Sequence, residues 1–169
     1  MVIESRQYAE ARGAKILAKF SGYSATYGKA EDESLVDPDA ISRGINNALE
    51  MADCQANDVS HVSAEGTGLP KNDAVEAAAI RESLGDVPVT ALKSYYGDTG
   101  AGCGALEIVA AVQSIIHDQV PQTLNYETPD PACPVNVIHG APLNAVQQNV
   151  LTINQNQRGQ TAALLLSKP

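Results

Sequence analysis

Val87-Pro88-Val89-Thr90-Ala91-Leu92, then Lys93-Ser94-Tyr95-Tyr96, then Gly97-Asp98-Thr99-Gly100-Ala101-Gly102-Cys103-Gly104-Ala105-Leu106-Glu107, is the stretch that decides the fold class. Its first six residues are a nearly continuous apolar run, as expected of a parallel strand covered on both faces. The glycine-rich segment 97–104 opens a long helix reaching about Asp118, dominated by Ala, Val and Ile. Small side chains on such a helix predict close packing deep in the body. Strand, glycine loop and helix together are the repeating unit of an α/β sheet.

The same alternation extends outward. Upstream, Val59 to Ala64 reads as a short strand and Glu65-Gly66-Thr67-Gly68 as a turn. A helix starting at Asn72 or Asp73 follows, with Val75, Ala78, Ala79 and Leu84 inward and Gly85 as its stop. Before it, Asp37 suits an N-cap and Pro38 the first helical position. Ile41, Ile45, Ala48, Leu49 and Ala52 give that helix its apolar face. Residues 28–36 read as a charged loop and 14–27 as a strand, while 2–12 form the polar tail of an element broken by Gly13. Downstream, 121–134 is extended and proline-containing, and β segments are predicted at 135–139, 148–154 and 161–167. The order is β-α-β-α-β-α-β-β-β. It predicts one α/β domain over 1–169, a mixed five- to six-stranded sheet covered by helices with antiparallel strands at the end.

Composition narrows the function classes. Twenty acidic against 11 basic residues give a net charge of -9, which repels a polyanion and argues against nucleic acid as a partner. Cys54, Cys103 and Cys133 are odd in number, widely spaced and free of any Cys-x-x-Cys pair, so neither a zinc site nor a disulfide framework is expected. Free thiols and the lack of a charged-then-apolar leader pattern predict a cytoplasmic protein. No apolar run is expected to reach the roughly 18 residues of a membrane span.

Four segments carry a resemblance. Residues 65–76, Glu-Gly-Thr-Gly-Leu-Pro-Lys-Asn-Asp-Ala-Val-Glu, resemble the His-Gly-Thr-x-Thr-Pro-x-Gly-Asp-x-x-Glu segment of β-ketoacyl synthases. Residues 93–107 resemble Lys-Ser-x-x-Gly-His-x-x-Gly-Ala-Ala-Gly-x-x-Glu. Residues 120–131, Val-Pro-Gln-Thr-Leu-Asn-Tyr-Glu-Thr-Pro-Asp-Pro, resemble Pro-Pro-Thr-x-Asn-x-x-x-Pro-Asp-Pro. Residues 12–23 resemble Arg-Gly-Ala-x-Ile-x-Ala-x-x-x-Gly-Tyr. The resemblance implies one half, the C-terminal one, of a five-layered thiolase-like fold. It implies acyl transfer by Claisen condensation without a cofactor, with the nucleophilic cysteine in the N-terminal half. An acyl carrier protein, and an active ketosynthase or that missing half, are the implied partners. An apolar face left by the missing half predicts self-association as a homo-oligomer.

The departures fall on the chemistry. The resemblance places Glu65 and Asp98 at the family's two histidines, with Lys93 and its partner Glu107 retained. A neutral imidazole donates an N–H to a thioester oxygen gaining charge, whereas an ionised carboxylate only accepts. Losing one such donor costs on the order of 3–4 kcal/mol. Three readings of the carboxylates stay open: pairing with Lys93 or with turn N–H groups, one carboxyl kept protonated by burial, or a hard-cation site, for which no ligand spacing is present. The closing family motif, a glycine-rich gating loop, is eroded at 153–161: only Gly159 survives, Gln155 and Gln157 stand at the phenylalanine positions, and Arg158 is placed to reach Glu65 or Asp98 or to face solvent. Thr67 and Gly159 are supporting positions. His61, His117 and His139 are read as ordinary partly buried or surface residues, and Cys103 as a small residue in a tight helix contact or a thiol near a helix start. The phrase Val-Pro-Val-Thr-Ala-x-Lys at 87–93 and the lost second histidine, at Asp98, resemble the chain-length-factor partners of type II polyketide systems. An active condensing enzyme completed by its first half, and a degenerate scaffold, are the alternatives.

Overall fold

A computed structural model describes residues 1–30, 36–156 and 158–169. In chain order the elements are α1 (Arg6–Ala11), β1 (Lys19–Tyr27), α2 (Pro38–Met51), β2 (His61–Ser63), α3 (Pro70–Leu84), β3 (Pro88–Thr90), α4 (Lys93–Tyr96), α5 (Cys103–His117), β4 (Gln119–Val120), β5 (Asn136–Val137), β6 (Leu143–Asn144), β7 (Asn149–Gln155) and β8 (Gln160–Ser167). Six strands form one mixed sheet in the order β1-β8-β7-β2-β3-β5. The four strands from β7 to β5 run parallel, and β8 and β1 add antiparallel edges.

Alternation along the strands assigns the two faces. Leu151 and Ile153 on β7 and Leu165 on β8 join Ile41, Ile45 and Ala48 of α2 and Ala79 and Ile80 of α3 in the larger core. Ile41 and Ile45 are fully buried, each contributing about 2 kcal/mol by area removed from water. The opposite face, with Val150 and Leu166, receives Ala111 and Ile115 of α5. The expected α/β class, mixed sheet and helical cover are therefore present. Asp37 caps α2 as read, accepting from the N–H groups of Asp39 and Ala40.

Several boundaries differ from the sequence reading. β1 starts at Lys19 rather than at 14, because β8 supplies partners only from Lys19 onward. Helix α3 starts at Pro70, ahead of Asn72, since proline's missing N–H costs nothing in a first turn. Residues 2–12 contain the short helix α1, capped by the Ser5 hydroxyl. The segment 135–139 pairs only through Asn136–Val137, and the two-stranded ribbon of β4 with β6 was unforeseen. Most of the charged loop, 31–35, lies outside the described residues. Gly100–His117 also overturns the membrane-span expectation: 18 residues at hydropathy 1.3, with 28% buried, are long and apolar enough to cross a bilayer by length and composition. In this chain one side of that segment packs on the sheet, while Leu106, Val109 and Ile116 on the other side are exposed.

Candidate functional site

The carboxyl ends of the parallel strands bring the motif residues together. Glu65 follows β2, Lys93 opens α4 just after β3, Glu107 lies on the first turns of α5, and Asn154 is near the end of β7. Lys93 Nζ lies 2.9 Å from Glu65 Oε1 and 3.2 Å from Glu107 Oε1. The far oxygens of the same two carboxylates are joined by the Asn154 amide, which donates to Glu65 Oε2 at 3.0 Å and Glu107 Oε2 at 2.7 Å. Lys93, Glu65, Asn154 and Glu107 thus close a four-membered ring of charge-assisted hydrogen bonds. The ring is sealed further: Gln155 N–H donates to Glu65 Oε2 at 3.1 Å, and Lys93 donates to the Glu65 carbonyl at 3.0 Å. Gly104 makes room for it, since a Cβ there would sit 2.8 Å from Asn154 Oδ1.

A third carboxylate lies directly beneath. Glu76 of α3 accepts from the N–H groups of Glu65 (2.9 Å) and Gly66 (3.0 Å) and from the Gln155 amide (2.8 Å). It holds the turn that presents Glu65. Burial pushes the Glu76 carboxyl up to about 7, against its backbone donors. Burial likewise raises Glu107 to about 7, opposed by Lys93 and Asn154. Burial alone lowers an ammonium, but Glu65 and Glu107 outweigh it and hold Lys93 above the ordinary lysine range.

Asp98 is separate from this ring. Exposed before α5, it accepts from Gly100 N–H at 2.7 Å and from the Cys103 thiol at 3.3 Å. Those two donors, the backbone one first, hold its carboxyl below the usual range. Cys103 is buried, and its sulfur also accepts from Thr99 N–H at 3.2 Å. The pairing named first among the readings of the two carboxylates is present: Glu65 meets Lys93, and Asp98 accepts from a turn N–H. Among the described residues no group of three or more His, Cys, Asp or Glu side chains is placed to hold a metal ion.

The supporting positions diverge. Thr67 accompanies the turn, its N–H and hydroxyl both bonding Asp73 Oδ1 at 3.0 and 3.1 Å. Gly159 stays apart, in the β7–β8 connection with φ 85°, where an added Cβ would lie 1.9 Å from the Gly28 carbonyl oxygen. Arg158 is exposed and pairs with neither carboxylate. Gln155 is bonded to Glu76, and Gln157 lies outside the described residues. His61, read as ordinary, is 1% exposed and bonded through Nδ1 to Gln147 Oε1 at 2.6 Å. Asn154 and Glu76 were missed as site residues. Glu76 had a signal, as the last residue of the 65–76 segment, whereas Asn154 sits where the closing motif is eroded. Tyr96 was missed too: its buried hydroxyl has no hydrogen-bond partner among the described residues, and burial, then the Glu107 charge, pushes it up to about 12.

Residues 17–127 match the family described as beta-ketoacyl synthase, C-terminal domain. The chain belongs to that family. It is 34% identical, over 100% of its length, to a putative polyketide beta-ketoacyl synthase 1 of Streptomyces halstedii, covering 41% of that protein. It superposes with TM-score 0.93 and 33% identity on the ishigamide ketosynthase/chain length factor, over 98% of this chain and 41% of that one. A type II polyketide acyl-carrier protein in complex with its ketosynthase, bound to the hexaketide, gives TM-score 0.91 at 30% identity, over 98% of this chain and 42% of that one. The chain thus spans about two fifths of the length of the relatives it matches. Family membership and coincident folds establish the C-terminal half of a thiolase-like ketosynthase body, as the four motifs implied.

Proposed function

We propose that this chain serves as a non-catalytic, chain-length-factor-like ketosynthase module of polyketide or fatty acid assembly, working beside an active ketosynthase and an acyl carrier protein. One observation carries the reading: both family histidine positions hold carboxylates already committed as hydrogen-bond acceptors. Glu65 receives Lys93, Asn154 and Gln155, and Asp98 receives Gly100 and Cys103. Neither offers an N–H to a thioester oxygen developing negative charge, and an ionised Asp98 at the mouth repels a malonyl carboxylate. The relatives named for polyketide synthesis and chain length factor support the pathway and the partner. The exposed Leu106, Val109 and Ile116 of α5 support a further layer packing there.

Malonyl-thioester decarboxylation, measured on the full-length protein with and without a copurifying ketosynthase, tests this. No turnover by the protein alone, with turnover appearing only in the complex, is the expected result. Turnover by the protein alone that is abolished by Glu65→Gln overturns the reading.

A further inference from the structure

Beside the ring lies a cavity of about 390 Å³ that the ion pairs do not occupy. One helical stripe of α3 forms a wall, with Asp73 and Glu76 toward the ring and Ala77 and Ile80 a turn further on. Val89 of β3, with Val135 and Val137 at β5, closes the far side, and Cys133 lines it from the preceding loop. Ala77, Ile80 and Val89 are each no more than 4% exposed, so the deep end is apolar. Three small side chains, Ala64, Ala77 and Ala91, are among the residues that line it. Its volume falls within the range of small-molecule pockets, roughly 300–1,000 Å³. Asp73, Glu76 and Asp98 set the charge of its lining, and Lys93, the cation there, is matched by Glu65 and Glu107.

The geometry points to a binding site for an uncharged apolar group, a short alkyl or aryl chain, held between α3 and the 133–137 segment and closed to anions by the carboxylates in its lining. This site goes beyond the proposed function and stands whether or not the protein turns over a thioester. Apolar cavities shed water and take up apolar guests, and a carboxylate-headed guest meets like charge without a free cation.

Binding of the dye N-phenyl-1-naphthylamine to the full-length protein, competed by 1-hexanol or by hexanoate at pH 8, tests it. The alcohol is expected to displace the dye at a concentration at least tenfold below that of the anion; equal potency overturns the proposal. Ala77→Phe and Val137→Phe, which fill the space from opposite walls, each lower dye affinity at least tenfold. Val146→Glu, at an exposed apolar position outside the cavity lining, leaves it unchanged, and loss of dye binding in that variant instead assigns the dye to the exposed surface and sinks the site. A measurement without substitution guards against misfolding: saturating 1-hexanol slows alkylation of Cys133 by N-ethylmaleimide at least fivefold while Cys54 reacts as before. Unchanged Cys133 alkylation refutes the assignment.

Discussion

Replacing Lys93 by Met should destabilise the protein more than any other single change at the site. Lys93 is the cation of the ring, its side chain 5% exposed, and Glu107 opposite it is 0% exposed. Removing it leaves two carboxylates bridged by Asn154 with no positive partner. Taking one member from a buried ion pair costs about 3–5 kcal/mol, most of it the uncompensated charge left behind. For a chain of this size that lowers Tm by roughly 10 °C. The pH dependence identifies the cause. Without Lys93 the folded-state Glu107 carboxyl rises further above its unfolded value. A raised carboxyl contributes stability at low pH and loses it as pH rises. The wild type already carries part of this, with Glu107 near 7. At 1.36 kcal/mol per pH unit, the cost of Lys93→Met should therefore be about 1–2 kcal/mol smaller at pH 5.5 than at pH 8. Urea unfolding at both pH values reads this, and adding Glu107→Gln should recover part of the loss at pH 8. A cost below about 1 kcal/mol at pH 8, or equal costs at both pH values, would refute the claim that the ring is a charge-compensated unit.

Three further outcomes follow from the geometry. Asn154→Leu strips one donor from both Glu65 and Glu107 and should cost about 1–3 kcal/mol in chemical denaturation; Asn154→Asp should cost more at pH 8 than at pH 5.5. Burial holds the His61 imidazole down at about 4, against its bond to Gln147, so the unfolded chain binds that proton first. Stability from His61 is present above about pH 6.5 and lost toward pH 4, by about 3 kcal/mol; His61→Leu should flatten that acid limb relative to wild type in unfolding curves from pH 7.5 to 4.5. Finally, a Cβ at Gly22 would lie 2.0 Å from the Ala48 carbonyl oxygen, so Gly22→Ala must push β1 off α2. A loss of about 2 kcal/mol or more is expected, and a thermal midpoint unchanged from wild type would contradict that packing.

The class of the fold, the order of its main elements and the identity of the motif positions are all legible in the chain read residue by residue. Apolar periodicity in α2, the apolar runs of β2 and β3 and the Asp37-Pro38 start are local signals, because backbone conformation and side-chain period are set within a few residues. Glu65, Lys93, Asp98 and Glu107 were legible because their neighbours retain the family spacing. What those residues do depends on contacts between elements far apart in the chain. Nothing near Glu65 in sequence says that Asn154, 89 residues away, will share its carboxylate with Glu107, or that Asp98 will turn outward to a thiol and a turn N–H. The short strands β4 and β6 were illegible for the same reason: two residues carry no period, and only their partners make them strands; β5 was legible as a segment, though only two of its five residues pair. Cavities are likewise absences of side chains from several distant elements at one point, so the space between Ile80, Val89 and Val137 exists only once α3 and the 133–137 segment pack on the sheet.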